Sequence, residues 1–334
     1  MANISIEALT ALAAAALRSS GAAGSMARVT AKYLVAADAR GLGTHGVARV
    51  PTYCGHLKSG RARGDAVPRI ADQKAAACLI DAGDGLGFEP SEFAIQQAIE
   101  RAAKHGVGFA GVTKSHHCGA LGILLEAVAA RGMVGLAFSN ASAAIMAWGG
   151  KRPLFGTNPV AAIFPRESGN PMVIDMSLTQ VTRGQIMLLA NEGKPIPAGW
   201  GMDKDGNPTT DAQKILVGGS LHAVGGLKGT MLALAVELLC CALMGAALSH
   251  EVGSIHVNDG APMNLAQAFL VIDPAALAGQ AAYFERIETL IAAMLEDDDV
   301  RLPGDRRHTL AARARKDGIA ISADLEKQLR ALAR

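Results

Sequence analysis

Gly41-Leu42-Gly43-Thr44-His45-Gly46 spells a literal G-x-G-x-x-G, and Asp65 follows about twenty positions on. In a dinucleotide-binding unit such glycines close a strand and open a helix packed on that strand, with an acid for the ribose further along. The residues before this match, Met26 to Arg40, instead carry helical spacing at Val29, Tyr33, Ala36 and Ala37. Pro51 lies about one turn into the segment that follows, and Asp65 falls in a Gly/Arg-rich loop. The fingerprint lacks its strand–loop–helix context, so a Rossmann reading fails. Attention moves to the residues the fingerprint treats as filler, Thr44 and His45.

Composition sets the frame. The chain has 334 residues, 50% of them hydrophobic, with 38 glycines and 4% aromatics. That suits an Ala/Gly/Val-rich α/β enzyme of about two domains rather than a disordered or fibrous chain. With 32 basic against 30 acidic residues the formal charge is +2. The basic residues are scattered, which gives no nucleic-acid footprint, although Arg306-Arg307 form a short cluster able to hold a small anion. Five cysteines, an odd number in no C-x-x-C pattern, fit a reducing cytoplasm, with Cys240-Cys241 as core residues. The Ala-rich start reads as a helix rather than a signal peptide. Met231 to Leu248 approaches spanning length, but Glu237 lies mid-run and no basic flank marks it, so a buried core helix is expected.

Along the chain, residues 5–18 and 26–40 read as amphipathic helices, the second with Ser25 as N-cap. A change of character near residue 70 marks a boundary. Beyond it, strand candidates (76–82, 106–113, 133–139, 158–165, 171–177 and 268–273) alternate with helix candidates (92–105, 120–131, 180–192, 228–246 and 283–295). The alternation points to α/β. Two of the strands, 158–165 and 171–177, follow each other with only Arg166–Asn170 between them, which predicts a hairpin and hence antiparallel pairs. Residues 193–211 form a long Gly/Pro/Asp loop of the kind that caps sites. Residues 322–334 read as a solvated helix.

A histidine beside a hydroxyl on a flexible turn can be oriented by that hydroxyl. Arg49, four residues on, shares its face if the segment continues as a helix. An imidazole beside a guanidinium suits proton transfer to a substrate whose carboxylate the arginine grips; the plainer alternative is a solvated surface turn. His116-His117-Cys118 are sequence neighbours with no matching ligand pair, so no metal site is expected.

These segments, taken together and in order, are recognisable. Ala37–Gly60 resembles the opening motif of the type-2 malate/L-lactate dehydrogenase family. So do the stretches Gly111–Pro165, Met172–Ile186, Gly225–Ala246, Gln267–Pro274 and Arg301–Arg307, covering about residues 5 to 310. The resemblance implies an NAD(P)-dependent oxidoreductase that interconverts small 2-hydroxy and 2-oxo acids of the malate, lactate or sulfolactate class. The alternatives are a cyclic-imine (piperideine- or pyrroline-2-carboxylate) or N-alkyl amino-acid reductase on the same scaffold and, in another class, a non-catalytic ligand binder. It implies an α/β fold that is not Rossmann: a mixed sheet with antiparallel pairs forms the cofactor domain, and a helical domain is built from the N- and C-terminal segments. The expected divisions are 1–70, 71–274 and 275–334, the last returning to the first. A cytoplasmic homodimer, acting on a small carboxylate with neither nucleic acid nor membrane as partner, is expected.

Carried over by position, His45 matches the proton donor, Thr44 the hydroxyl that orients it, and Arg49 the substrate-carboxylate ligand. His117 is expected at substrate and cofactor, at the start of a helix whose N–H groups suit phosphate; Gly119, Ala120 and Leu121 follow it. Asn140, Thr157 and Asn158 are polar groups at strand ends. Asp175, Met176 and Ser177 match a cofactor-contacting segment, Lys228 a cofactor lysine, and Pro303, Gly304, Asp305 and Arg306 a C-terminal cofactor loop. The cofactor is NAD or NADP, with NADP favoured. Two departures stand out. Leu227 replaces the histidine of the usual G-G-H-K-G, and Gln185 stands where the imine-reducing branch carries an acid.

Overall fold

The structure, a computed structural model, describes residues 3–334. Three helices open the chain: α1 (Ile6–Ser19), α2 (Gly24–Ala39) and α3 (Val50–Ser59). Ser5 caps α1, its hydroxyl accepting from Ala8 N at 3.1 Å. α2 begins at Gly24, so Ser25 lies inside its first turn and Ala23 occupies the cap position without a side-chain bond. A helix does follow the glycine turn: Pro51 falls in the first turn of α3, where its missing N–H would have no partner anyway.

The strands β1 (Arg69–Lys74) and β2 (Ala77–Asp81), the helix α4 (Phe88–His105) and the strand β3 (Val107–Ser115) come next. β4 (Val134–Ser139), β5 (Val160–Phe164), β6 (Met172–Met176), α5 (Arg183–Asn191), α6 (Leu227–Glu237) and β7 (Leu265–Ile272) follow. The chain closes with α7 (Gln280–Met294), α8 (Asp305–Asp317) and α9 (Ala323–Leu332).

Seven strands form one sheet in the order β1-β2-β3-β7-β4-β5-β6. Only β2 and β3 pair parallel, and α4 is their crossover; the other neighbours run antiparallel. The sheet is mixed, as expected, and β5 and β6 make the expected hairpin, with Val160 opposite Met176 and Phe164 opposite Met172. β7 is buried along most of its length, as a central strand covered on both faces must be. One hydrophobic cluster runs without a break from α1–α3 through α4 to one side of the sheet. A second, with Val236, Cys240, Cys241 and Met244, packs on Ala266 and Ala268 of β7.

The first and last segments meet: Asn3–Ile4 pairs antiparallel with Ile319–Ala320, and α9 packs on α1. A four-stranded satellite sheet joins Gly201–Met202, Ser220–Leu221, Ile145–Met146 and Pro153–Phe155.

Two expectations change here. The helix expected over 120–131 divides into Leu121–Leu124 and Glu126–Ala129. The run Met231–Leu248 is not a buried core helix. Its regular part ends at Glu237, a π-helical turn follows over Leu238–Ala242, and one face stays open, with Leu238 52% and Leu243 61% exposed. Among the described residues no helix is long and apolar enough to cross a membrane.

Candidate active site

The glycine stretch is a helix stop. Gly41 N–H reaches Asp38 O and Leu42 N–H reaches Ala37 O, both at 2.9 Å, and Gly41 takes φ +73°. That is the Schellman arrangement, in which a left-handed residue just past the helix ties off its last carbonyls. Gly46 serves close approach instead: a Cβ there would lie 1.9 Å from Asp38 Oδ1. Asp38 Oδ2 accepts the Val47 N–H at 2.7 Å, which pins the turn to the end of α2. Burial pushes the Asp38 carboxyl up to about 6 in spite of that bond.

The turn so fixed presents Thr44, His45 and Arg49 to a cleft of about 670 Å³. Thr44 Oγ1 lies 3.0 Å from His45 Nδ1, and Arg49 Nε donates to Thr44 O at 2.8 Å. The three form one unit although Val47–Arg49 is a 3-10 turn rather than a continuing α-helix. Burial, then the charges of Arg49 and Arg307, push the His45 imidazole down to about 4. It is therefore neutral at pH 7 while the cleft holds no anion.

His117 faces His45, ring centroids 5.6 Å apart. Its Nδ1 takes the Gly119 N–H at 3.3 Å and lies 2.6 Å from the Tyr53 hydroxyl. A backbone N–H can only donate, so Nδ1 is the acceptor and Nε2 carries the proton. Burial and the neighbouring positive groups hold His117 well below the usual histidine range. It is a neutral hydrogen-bond donor in the cleft wall.

Opposite stands Asp175, at the end of β6. Its Oδ2 accepts Gly122 N–H at 3.1 Å and meets Arg307 Nη1 at 3.4 Å. Burial raises its carboxyl, with Arg307 opposing. Ser177 and Thr179 hydroxyls lie 3.0 Å apart beside it. Arg183, the first residue of α5, lines the cleft next to Gly184, whose Cβ position is 3.2 Å from the Thr44 methyl. The remaining wall is the segment Ser254-Ile255-His256. Behind it, Arg61 Nη1 donates to Ser254 O at 2.8 Å and also to Val257 O. His56 Nε2 donates to Val257 O at 2.9 Å, leaving Nδ1 to accept from His116 Nε2 at 2.8 Å.

Of the residues singled out in the sequence, Thr44, His45, Arg49, His117, Gly119, Ala120, Leu121, Asn140, Thr157, Asp175, Met176 and Ser177 all line this cleft. Asn140 is also spent structurally, accepting Ala266 N–H at 2.9 Å and donating to Ala247 O at 3.0 Å. Asn158 does not line the cleft. Its Nδ2 is buried against Glu237 Oε2 at 2.8 Å and Ala233 O at 2.9 Å, so it ties the β5 entry to α6. Lys228 and Arg306 are exposed, and neither they nor Pro303, Gly304 and Asp305 line the cleft. The segment 305–317 is a helix rather than a loop, and it brings Arg307 inward. Leu227 and Gln185, the two departures, are exposed and off the cleft. Sequence reading missed Arg183, His256 and the Tyr53 support of His117. Arg183 follows Thr182, a capping residue before an apolar run, and that was the one signal available. Among the described residues no group of His, Cys, Asp or Glu could hold a metal.

The malate/L-lactate dehydrogenase family model matches residues 4–330. The chain is 40% identical over 330 residues to a (2R)-3-sulfolactate dehydrogenase (NADP(+)) of Chromohalobacter salexigens, covering 99% of this chain and 98% of that protein. It is 38% identical over 309 residues to a Δ1-pyrroline-2-carboxylate/Δ1-piperideine-2-carboxylate reductase of Pseudomonas syringae pv. tomato, covering 92% and 90%. The solved structure of a Δ1-piperideine-2-carboxylate reductase from the same organism superposes with a TM-score of 0.94 at 34% identity, covering 99% and 100% of the two chains. This chain belongs to the malate/L-lactate dehydrogenase family and is an oxidoreductase.

Proposed function

We propose that the cleft binds NADP, or NAD, together with a small 2-oxo or 2-hydroxy acid and interconverts the two. The observation that carries this reading is the Thr44–His45–Arg49 unit, a proton-transfer group and a carboxylate ligand fixed on one turn of the wall. The sulfolactate-dehydrogenase relative, whose name specifies NADP(+), favours NADP over NAD. The cleft suits a nicotinamide cofactor. Its volume falls in the range of such pockets, hydroxyls of Ser139, Ser177 and Thr179 line it, and Met187, Val252 and Met263 supply apolar surface. When bound, that cofactor supplies or takes the hydride.

The chain's own residues hold the acid and move the proton. Arg49 grips the carboxylate through its free Nη groups, which fixes the face that C2 presents. His45 delivers a proton to the oxygen on C2 during reduction and removes it during oxidation. Thr44 holds the imidazole by Nδ1, so Nε2 is the nitrogen that works. Burial is the larger reason that His45 is neutral and the Arg49 charge adds to it; a carboxylate on Arg49 offsets that second contribution, so substrate binding favours the protonated acid. Neutral His117 donates a further hydrogen bond through Nε2.

The rest of the reading follows the same lines. Residues 71–274 hold the cofactor, and 1–70 with 275–334 form the substrate side, supported by the strand pair between Asn3–Ile4 and Ile319–Ala320. A homodimer is supported by the apolar face of Leu227, Met231 and Leu238, which Trp148 adjoins at Gly226. Five free, buried cysteines support a cytoplasmic setting.

A second reading, reduction of a cyclic imine, is favoured by the fit to the Pseudomonas reductase structure. Against it, the position that would carry the branch's acid is Gln185, turned away from the cleft. A panel of pyruvate, oxaloacetate, sulfopyruvate and piperideine-2-carboxylate, each with NADPH and NADH, tests the assignment. Turnover of 2-oxo acids with NADPH is expected. Turnover of the imine alone would replace the first reading with the second.

A further inference from the structure

The segment from Gly253 to Asn258 walls the cleft through Ser254, Ile255 and His256, yet it has no helix or strand of its own. Its place is set by side chains from the last turn of α3 and the residues just past it. Arg61 Nη1 donates to Ser254 O at 2.8 Å and to Val257 O. His56 Nε2 donates to the same Val257 O at 2.9 Å, and Ser59 Oγ donates to Asn258 O. The two donors fill both lone pairs of the Val257 carbonyl. The fit is close: a Cβ on Gly253 would stand 3.0 Å from Arg61 Nη2, and one on Gly55 would run into the Asn258 amide.

Arg61 is 3% exposed, its Nε is buried without a partner, and among the described residues no carboxylate forms an ion pair with it. A guanidinium without a counter-charge is costly to bury, and apolar packing would hold a merely structural loop more stably. What Arg61 provides is direction. Its charged donors fix where the Ser254 and Val257 carbonyls point, and with them the wall that this segment presents. The Ser254 hydroxyl is spent on the His256 N–H at 3.2 Å, so the His256 imidazole is the polar side chain the segment offers the cleft. The same helix starts at the catalytic turn: α3 begins at Val50, immediately after Arg49, and ends at Ser59, about 15 Å along its axis.

We infer that Arg61 is a positioning residue for the reaction. It does not line the cleft; it acts through His256, by holding the 253–258 segment at a fixed distance from the turn that carries His45 and Arg49. This rests on the 2-oxo acid reading above.

The test measures kcat and KM for the best 2-oxo acid and for NADPH in the wild type, Arg61→Met, Arg61→Lys, His256→Ala and the Arg61→Met, His256→Ala double variant. Arg61→Met, which fills the space without the donors, should raise KM for the acid about tenfold, keep kcat within about twofold and leave KM for NADPH unchanged. Arg61→Lys restores charged donors and should recover most of the loss. In the His256→Ala background Arg61→Met should have no further effect, because the group it positions is gone. A loss of the same size in both backgrounds marks a merely structural role and overturns the inference, as does a wild-type KM in Arg61→Met. If the wild type turns over no 2-oxo acid, the reading above fails on its own, and amide hydrogen exchange decides this one. Exchange at 253–258 that Arg61→Met speeds by about tenfold, with the 41–49 turn unchanged, supports it; unchanged exchange at 253–258 overturns it.

Discussion

On one wall of the cleft Arg307 lies against Asp175, Nη1 to Oδ2 at 3.4 Å; on the other, Arg49 and Arg183 meet no carboxylate among the described residues. Both walls place cations near His45, and both lower its proton affinity. They differ in what the cation is for. A paired guanidinium is complete without ligand and serves to hold Asp175, and through it Gly122, in place. An unpaired one is complete only when an anion arrives. Pairing within the protein thus separates the framework charges from the recognition charges.

Four perturbations test that contrast. Replacing His45 with Ala should have the largest effect, a loss of about 10²–10⁴-fold in kcat with a small change in KM, read from steady-state kinetics. Wild-type turnover would remove His45 from the chemistry. Arg49→Gln should come next, raising KM for the acid and lowering kcat/KM by about 10²-fold while cofactor KM holds. An unchanged KM would show that the free cation on this wall does not bind substrate.

The third is a pH profile. His45 is held at about 4 in the free enzyme, below its ordinary value, so the imidazolium needed for reduction becomes scarcer as pH rises. Between pH 5 and 8 the reductive kcat/KM should therefore fall about tenfold per pH unit. The oxidative kcat/KM, which uses neutral imidazole, should stay flat. A break near 6.5 in both directions would mean that neither burial nor the guanidiniums lower His45. Asp175→Asn should have the smallest effect on rate and show itself in stability. It uncouples Arg307 from its partner and should cost about 1–2 kcal/mol, a few degrees in Tm by calorimetry. No shift in Tm would make the pair incidental.

Much of the fold could be read from hydrophobic runs. β2 to β7 were legible because each is a short apolar stretch between turn residues. β1 was not: Arg-Ile-Ala-Asp-Gln-Lys is an edge strand with almost every side chain in water, so its sequence carries no burial signal. The satellite strands of two or three residues are too short to show alternation. α8 escaped because only Ala311 and Ala314 of its thirteen residues are buried, leaving no apolar stripe. Without that helix the pair Arg306-Arg307 could not be divided; helical phase turns Arg307 inward and leaves Arg306 in water. The turn at 41–49 was legible by exclusion, because a helix rather than a strand precedes it. What its glycines do could not be read in advance, since Asp38 meets Gly46 only in three dimensions. Arg183 and His256 come from distant segments that no local pattern connects.

The place of β7 has a consequence for how the molecule is made. It lies between β3 and β4 at the middle of the sheet, yet its residues are 265–272, roughly 130 positions after β4 begins at Val134. During synthesis β3 and β4 therefore emerge long before the strand that joins them, each with an open edge. The sheet cannot close, nor can the cleft walls take up their spacing, until four-fifths of the chain has left the ribosome. Nascent chains that stall before Leu265 expose two unpartnered strand edges, and these are the intermediates a cell must shield from aggregation.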